Sequence, residues 1–405
     1  MSVALIESLS AIPLAAPSFA APPLAAWLHD LDPFLVRFTG NLGLRWYGLS
    51  YLMGFLAGYL LLRWLAKKGI AKIPVERVAD VILTLIVGVV VGGRLGYVLI
   101  YQPSLLTEFS PGLPYWGVLR LSQGGMASHG GMVGIVLAAW RISRGYKPYS
   151  DQPNTAANKA SGTPDRVGRC PPLHVFDLMV LIVPPGLFFG RVANFINGEL
   201  LGKVVAAPGQ PAPWWAVRFP QEITERSRAE LVQTPEQWAQ LDRLAISQLR
   251  PGESTFAQGY DHLLQSVQRG NAELAAQLEP LISARAPSQL LQAIAEGILV
   301  GLVVWFVARK PRLPGITAAW FLIAYGVLRV ATEFVRLADS QFDGTGLLDS
   351  ARPLGLARGQ WLSAAMVLIG VGMIVFIRKR GGEKSPGWAR KPEADQPTVA
   401  GSSEA

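Results

Sequence analysis

Residues 176–203 read "FDLMVLIVPPGLFFGRVANFINGELLGK". The first half is apolar apart from Asp177, whereas the second half carries Arg191, Asn194, Asn197 and Glu199. Such an abrupt change belongs to a segment that crosses a bilayer and reaches a polar level at its end. The composition agrees. Half of the 405 residues are hydrophobic, only 16% are charged, and the mean hydropathy is +0.30. A water-soluble domain carries about a quarter charged residues. Several apolar windows approach the ~20 residues needed to cross hydrocarbon.

Seven spans are expected, near 46–66, 79–100, 125–140, 174–194, 293–308, 316–336 and 360–377. Basic clusters follow the odd-numbered ones, as at Arg63, Lys67 and Lys68, at Arg141 and Arg144, at Arg309 and Lys310, and at Arg378, Lys379 and Arg380. The opposite short loops carry few, with only Arg120 between spans two and three. Positive residues stay on the cytoplasmic side, so the N-terminus is expected outside and the C-terminus inside. The net charge of +9 therefore reports topology and implies no nucleic-acid partner.

The chain predicts an all-α integral membrane protein of seven transmembrane helices with a small outer head domain. Residues 1–45 form an external N-terminal segment, which lacks the basic start of a cleaved signal peptide. Spans one to four fill 46–194, with a polar cytoplasmic loop at 145–171. An outer loop and head occupy 195–290, where "PWWAVRFP" and "PEQWAQLDRLAISQL" suggest a folded unit. Spans five to seven fill 291–378, and the tail 379–405 is expected to be disordered. Cys170 is the single cysteine, so no internal disulfide can form, and Cys/His metal spacing is absent. No internal repeat is visible.

Four arginines fall inside spans: Arg94, Arg191, Arg329 and Arg336. A charge at bilayer depth costs ~2.5–3.5 kcal/mol on insertion scales, so such residues face a polar interior and mark function. All four belong at the outer ends of their spans, as do His129 in "GGMASHGGMVG" and Tyr47 in "LRWYGL". Tyr325, Arg329, Glu333 and Arg336 recur at helical spacing and line one face, and Arg191 shares a face with Asn194. Arginines at head-group depth suit a phosphodiester, because guanidinium forks match phosphate oxygens. Glu333 would orient Arg329, while Asn194, Asn197 and Glu199 would bind a glycerol hydroxyl or hold the turn after span four. Arg94 fits a structural pairing as well as ligand contact, and Arg336 a snorkelling anchor as well as a ligand.

These residues carry a resemblance. "RWYGLSYLMGF" (45–55), "GGRLGYVL" (92–99), "QGGMASHGGMVG" (123–134), "GRVANFINGELLG" (190–202), "PSQLLQAIAEG" (287–297) and "YGVLRVATEFVR" (325–336) resemble, in order, the prolipoprotein diacylglyceryl transferases of bacterial inner membranes. The resemblance implies seven transmembrane helices, an external N-terminus and a periplasmic head. It implies transfer of the diacylglyceryl group of phosphatidylglycerol to the lipobox cysteine of a prelipoprotein signal peptide, within the lipid bilayer and without cofactor or metal. The products would be a thioether and glycerol phosphate. Arg191 and Arg329 match the family's essential arginines and His129 its HGG histidine. Asn194, Glu199 and Gly202 match its signature, and Tyr47, Tyr325 and Glu333 match further polar cavity positions. The family's "HPSQLYE" departs here to Ala286 and Gln292, leaving Gln289 and Glu296 as the polar members.

The expected nucleophile is a thiolate, since a thiol has a reference pKa near 8.5. His129 is placed to take its proton, with Tyr325 or a carboxylate acting through water as rivals. A phospholipid transporter could use the same arginines, but would need access from both leaflets, and the polar stratum is one-sided. A structural scaffold would not need arginines converging from three helices.

Overall fold

The computed structural model describes residues 26–39, 42–121, 124–147, 166–224, 231–337 and 358–389. A short strand β1 (Trp27–Leu28) precedes the hairpin β2 (Phe34–Thr39) and β3 (Leu42–Arg45), which leads directly into α1 (Trp46–Lys67). Then come α2 (Val78–Ile100), α3 (Ser128–Ser143) and α4 (Pro172–Asn197). The next segment holds β4 (Val204–Ala206), β5 (Val217–Arg218), α5 (Pro235–Ile246), α6 (Phe256–Gln268), α7 (Ala272–Leu278) and β6 (Ala284–Arg285). The chain returns through α8 (Ser288–Val307), α9 (Ile316–Glu333) and α10 (Arg358–Arg380). Two compact units result. One contains the chain before Pro33 with Leu201–Pro287, and the other contains Pro33–Leu200 with Ser288 onward.

Six described helices are long and apolar enough to cross a membrane: α1, α2, α4, α8, α9 and α10. The third expected span is the 16-residue α3, which at 1.5 Å per residue falls short of a hydrocarbon core about 30 Å thick. The outer faces of this unit bear Leu52, Leu83, Leu302, Phe306 and Leu368, each mostly exposed. So continuous an apolar belt is stable only when its solvent is hydrocarbon.

Inside the belt, small residues allow close approach. A Cβ on Gly134 would overlap the Gly88 carbonyl oxygen, and one on Gly96 would lie 2.6 Å from Gly130 Cα. Hence α2 and α3 pack backbone to backbone, as glycines four apart permit. Below them Leu62, Leu65, Val78, Val81, Ile142, Leu178 and Leu181 form one buried cluster. The helices α4 and α9 are fastened differently. The buried Asp177 carboxylate on α4 accepts from Gly315 N at 2.6 Å and Ala318 N at 2.8 Å. It thereby caps the start of α9, where orphan amides and the helix dipole favour an anion.

The tail departs from the expected disorder over Gly381–Ala389. Arg312 and Ser385 exchange backbone bonds of 3.1 and 2.7 Å, and Trp388 donates its indole N–H to Trp305 O at 2.7 Å while stacking on that ring. Residues 390–405 lie outside the described residues, as do 148–165 of the polar loop, whose ends pair at Tyr146 and Val167.

In the smaller unit β1-β5-β6-β4 form one sheet, with β1 parallel to β5. Helices α5 and α6 start with capping boxes at Thr234 and Thr255 and bury Leu241, Ala245, Tyr260 and Leu263. Glu222 and Arg285 are fully buried as an ion pair of 2.6 Å, and Glu222 also accepts from Ser283 N and Gln233 Nε2.

Two stability effects are expected. Asp177→Ala uncaps α9 and should cost about 2 kcal/mol, read as a lower thermal midpoint of the purified chain in detergent. Glu222→Ala leaves the Arg285 charge buried without its partner and should cost roughly 3–5 kcal/mol in the same measurement.

Candidate functional site

The site begins with an irregularity in α8. Between the α-helical turns of Ser288–Gln292 and Val300–Val307 the backbone widens into a π-helix over Ala293–Leu299. Such widened turns are rare and recur at functional sites. Glu296 stands in the middle of this one, and its side chain is fully buried. A buried carboxylate is costly unless both charge and lone pairs are met. Here each oxygen takes a different arginine. Arg191 Nε and Nη2 both lie 3.0 Å from Oε2, and Arg329 Nη1 lies 3.3 Å from Oε1.

The pairing continues along α9. Arg329 Nη2 is 3.1 Å from Glu333 Oε2, and Arg336 Nη1 is 3.8 Å from the same oxygen. Arg191–Glu296–Arg329–Glu333–Arg336 is thus a ladder of alternating charge, three cations against two anions. Exposure divides its members. Arg191 and Arg329 keep 19% and 15% of their side chains accessible, while Glu296 keeps none. The two arginine side chains are thus partly accessible, whereas the carboxylate they share is not. The Tyr325 hydroxyl hydrogen-bonds Arg191 and lies in the field of Glu296 and Arg329.

A second polar patch, of amides and a hydroxyl around the Glu199 carboxylate, adjoins the ladder through α4. Asn194, one turn beyond Arg191 and buried, donates Nδ2 to Tyr47 OH at 3.0 Å and to Glu199 Oε2 at 3.4 Å. Asn197 Nδ2 reaches Glu199 Oε1 at 3.4 Å, and Gln289 Nε2 donates to Glu199 O at 2.6 Å. The reversal after Asn197 needs Gly198 in the left-handed region, at φ +66°, and the Glu199 amide then bonds back to Asn194 O at 2.9 Å. Polarity at the end of the greasy segment is therefore one connected network.

Three expected members stand elsewhere. Arg94 is buried and spends its guanidinium on backbone carbonyls: Val118 O at 2.7 Å, Gly124 O at 2.7 Å, Gly125 O at 3.0 Å, Gly117 O at 2.8 Å and Arg120 O at 3.4 Å. All five N–H groups are engaged, so Arg94 shapes the loop before α3 instead of offering donors to a ligand. His129 is the second residue of α3 and exposed, and among the described residues no hydrogen bond or ion pair joins it to the ladder. Gly202 belongs to the smaller unit, where its carbonyl accepts from Arg285 Nη1 at 3.1 Å. Glu296 carries a sequence signal, a carboxylate inside an apolar run, but nothing in the spacing names its two arginine partners.

Known proteins resemble this chain over most of its length. The family model described as prolipoprotein diacylglyceryl transferase matches residues 33–376. A Bdellovibrio bacteriovorus protein named phosphatidylglycerol–prolipoprotein diacylglyceryl transferase is 39% identical over 90% of this chain and 97% of its own length. Proteins of the same name from Neisseria gonorrhoeae and Burkholderia thailandensis are 35% and 32% identical, each over 87% of this chain and 98% and 97% of their own. The chain belongs to the prolipoprotein diacylglyceryl transferase family.

Proposed function

We propose that the chain transfers the diacylglyceryl group of phosphatidylglycerol to the cysteine thiol of a prolipoprotein lipobox. The observation that carries this reading is the Glu296 carboxylate shared by Arg191 and Arg329, which fixes two guanidinium groups from separate helices while both side chains stay partly accessible. The head-group phosphate lies against those guanidinium groups. The thiol loses its proton, sulfur attacks the glyceryl carbon, and the carbon–oxygen bond to phosphate breaks. A thioether forms and glycerol phosphate departs with the bonding pair. Negative charge moves from sulfur to the phosphate oxygen, and Arg329 and Arg191 meet it there without reorganising, which favours the transition state over the bound diester.

His129 takes the thiol proton, imidazole being the side chain suited to proton exchange near neutral pH. Asn194, Asn197, Glu199, Gln289 and Tyr47 hold the head group's hydroxyl side, and Tyr325 and Glu333 steady the arginines. An apolar cavity of about 350 Å³ among α1, α2, α3 and α4, lined by Phe55, Ile86, Val89 and Ile182, suits an acyl chain. In this reading α3 is a seventh span of a bacterial inner-membrane protein, with its N-terminus outside and its C-terminus in the cytoplasm. The smaller unit forms the periplasmic head. Among the described residues nothing favours passage of lipid between leaflets.

Purified chain, labelled phosphatidylglycerol and a lipobox peptide suffice to test the reading, and absence of lipidated peptide overturns it. Arg329→Ala should lower kcat/KM roughly 100-fold or more, the scale of losing one preorganised donor at a developing oxyanion. For His129→Gln, the alkaline-ward rise of the wild-type rate profile should flatten. A variant that is slower but keeps the wild-type profile would leave His129 a binding residue only.

A further inference from the structure

Gln292 is fully buried in the first turns of α8, and among the described residues neither its Nε2 nor its Oε1 has a hydrogen-bond partner. Three residues earlier Gln289 is equally buried and spends Nε2 on Glu199 O, and among the described residues its Oε1 has no hydrogen-bond partner. Four residues later stands Glu296 with its two arginines. Gln289 and Gln292 lie three apart in α-helical turns and share one face of α8, and Glu296 follows in the widened turn that begins at Ala293. That face meets the Glu199 turn at one end and the charge ladder at the other. Gln292 lies between them.

A buried carboxamide with every donor and acceptor unmet weakens a fold, and a leucine in its place would bury more apolar surface with nothing left unsatisfied. The amide is therefore explained by a ligand. Its chemistry follows from what a carboxamide offers, an acceptor and two donors with no net charge. Beside a clamp for phosphate, the matching group is an uncharged hydroxyl, which both donates and accepts. An ammonium head group has donors only. It would leave Nε2 unmet and would sit near the Arg191 and Arg329 charges.

We infer that Gln292, with Gln289 Oε1, forms the subsite that reads the hydroxyls of the head-group glycerol and so selects this phospholipid over those with apolar or cationic head groups. The inference rests on the transfer reaction proposed above. Its experiment compares kcat/KM for phosphatidylglycerol and for phosphatidylethanol, which keeps the phosphodiester but lacks both hydroxyls. Full-length wild type, Gln292→Leu and Gln292→Met are used with one lipobox peptide. Wild type should favour phosphatidylglycerol by roughly tenfold or more, since a site built around a hydroxyl rejects an analogue without it. Either variant should lose about tenfold on phosphatidylglycerol, change little on phosphatidylethanol, and keep or raise its thermal midpoint. Equal losses on both lipids in the two variants, or a lowered midpoint in both, would assign the amide to the fold and overturn the inference. Wild type that transfers phosphatidylglycerol without preferring it overturns the subsite alone. Wild type that modifies no peptide with either lipid overturns the reaction.

Discussion

One buried carboxylate holds the site together. Two guanidinium groups brought close in a low-dielectric interior repel strongly, and a lone carboxylate there would be unstable as well. Glu296 resolves both by giving one oxygen to Arg191 and the other to Arg329. The geometry depends on how α4 and α9 are aligned. Asp177 fastens α4 to the start of α9 at Gly315, and fourteen residues further along each helix stand Arg191 and Arg329. Fourteen residues are about 21 Å of rise, so the pin at one end sets the level of both arginines at the other. The widened turn in α8 then carries Glu296 to them.

Much of this was legible before any coordinates. Arg191 and Arg329 had to face a polar interior because hydrocarbon tolerates no isolated charge, and the 325, 329, 333, 336 spacing placed one face of α9 in the site. For Arg94 the same rule leaves a structural role and ligand contact equally open, and its guanidinium is met by carbonyls of a loop more than twenty residues away. Sequence spacing reports the cost of a charge at depth, not which partner meets that cost. The sequence marks Glu296 as a polar member of its block but not its partners, because its arginines lie on other helices and its face depends on a π-turn that no periodicity announces. Likewise Gly381–Ala389 is Gly- and Lys-bearing, like a solvated tail, and only backbone pairing with Arg312 and the Trp305–Trp388 stack order it.

The third helix shows how packing and length trade against one another. Glycines at 88, 92, 96, 130 and 134 let α2 and α3 meet closely, which suits a helix too short to gain much from lipid contact alone. The loop that precedes α3 is held by Arg94, so the start of the helix, and with it His129, is set by a guanidinium for which the sequence leaves structural pairing and ligand contact equally open. Arg94 is thereby a support for the site without touching it.

The alternating ladder also bears on turnover. Three guanidinium groups with no carboxylates among them would attract any anion, and a departing phosphate monoester, with more charge than the diester, most of all. Product would then be held more tightly than substrate. Glu296 and Glu333 lower the ladder to a net charge of +1, enough to meet a singly charged phosphodiester. Each carboxylate is paired to guanidinium groups, which holds those donors in fixed positions. In the proposed reaction, donors held in place by carboxylates give their greatest stabilisation where charge develops, on the departing oxygen.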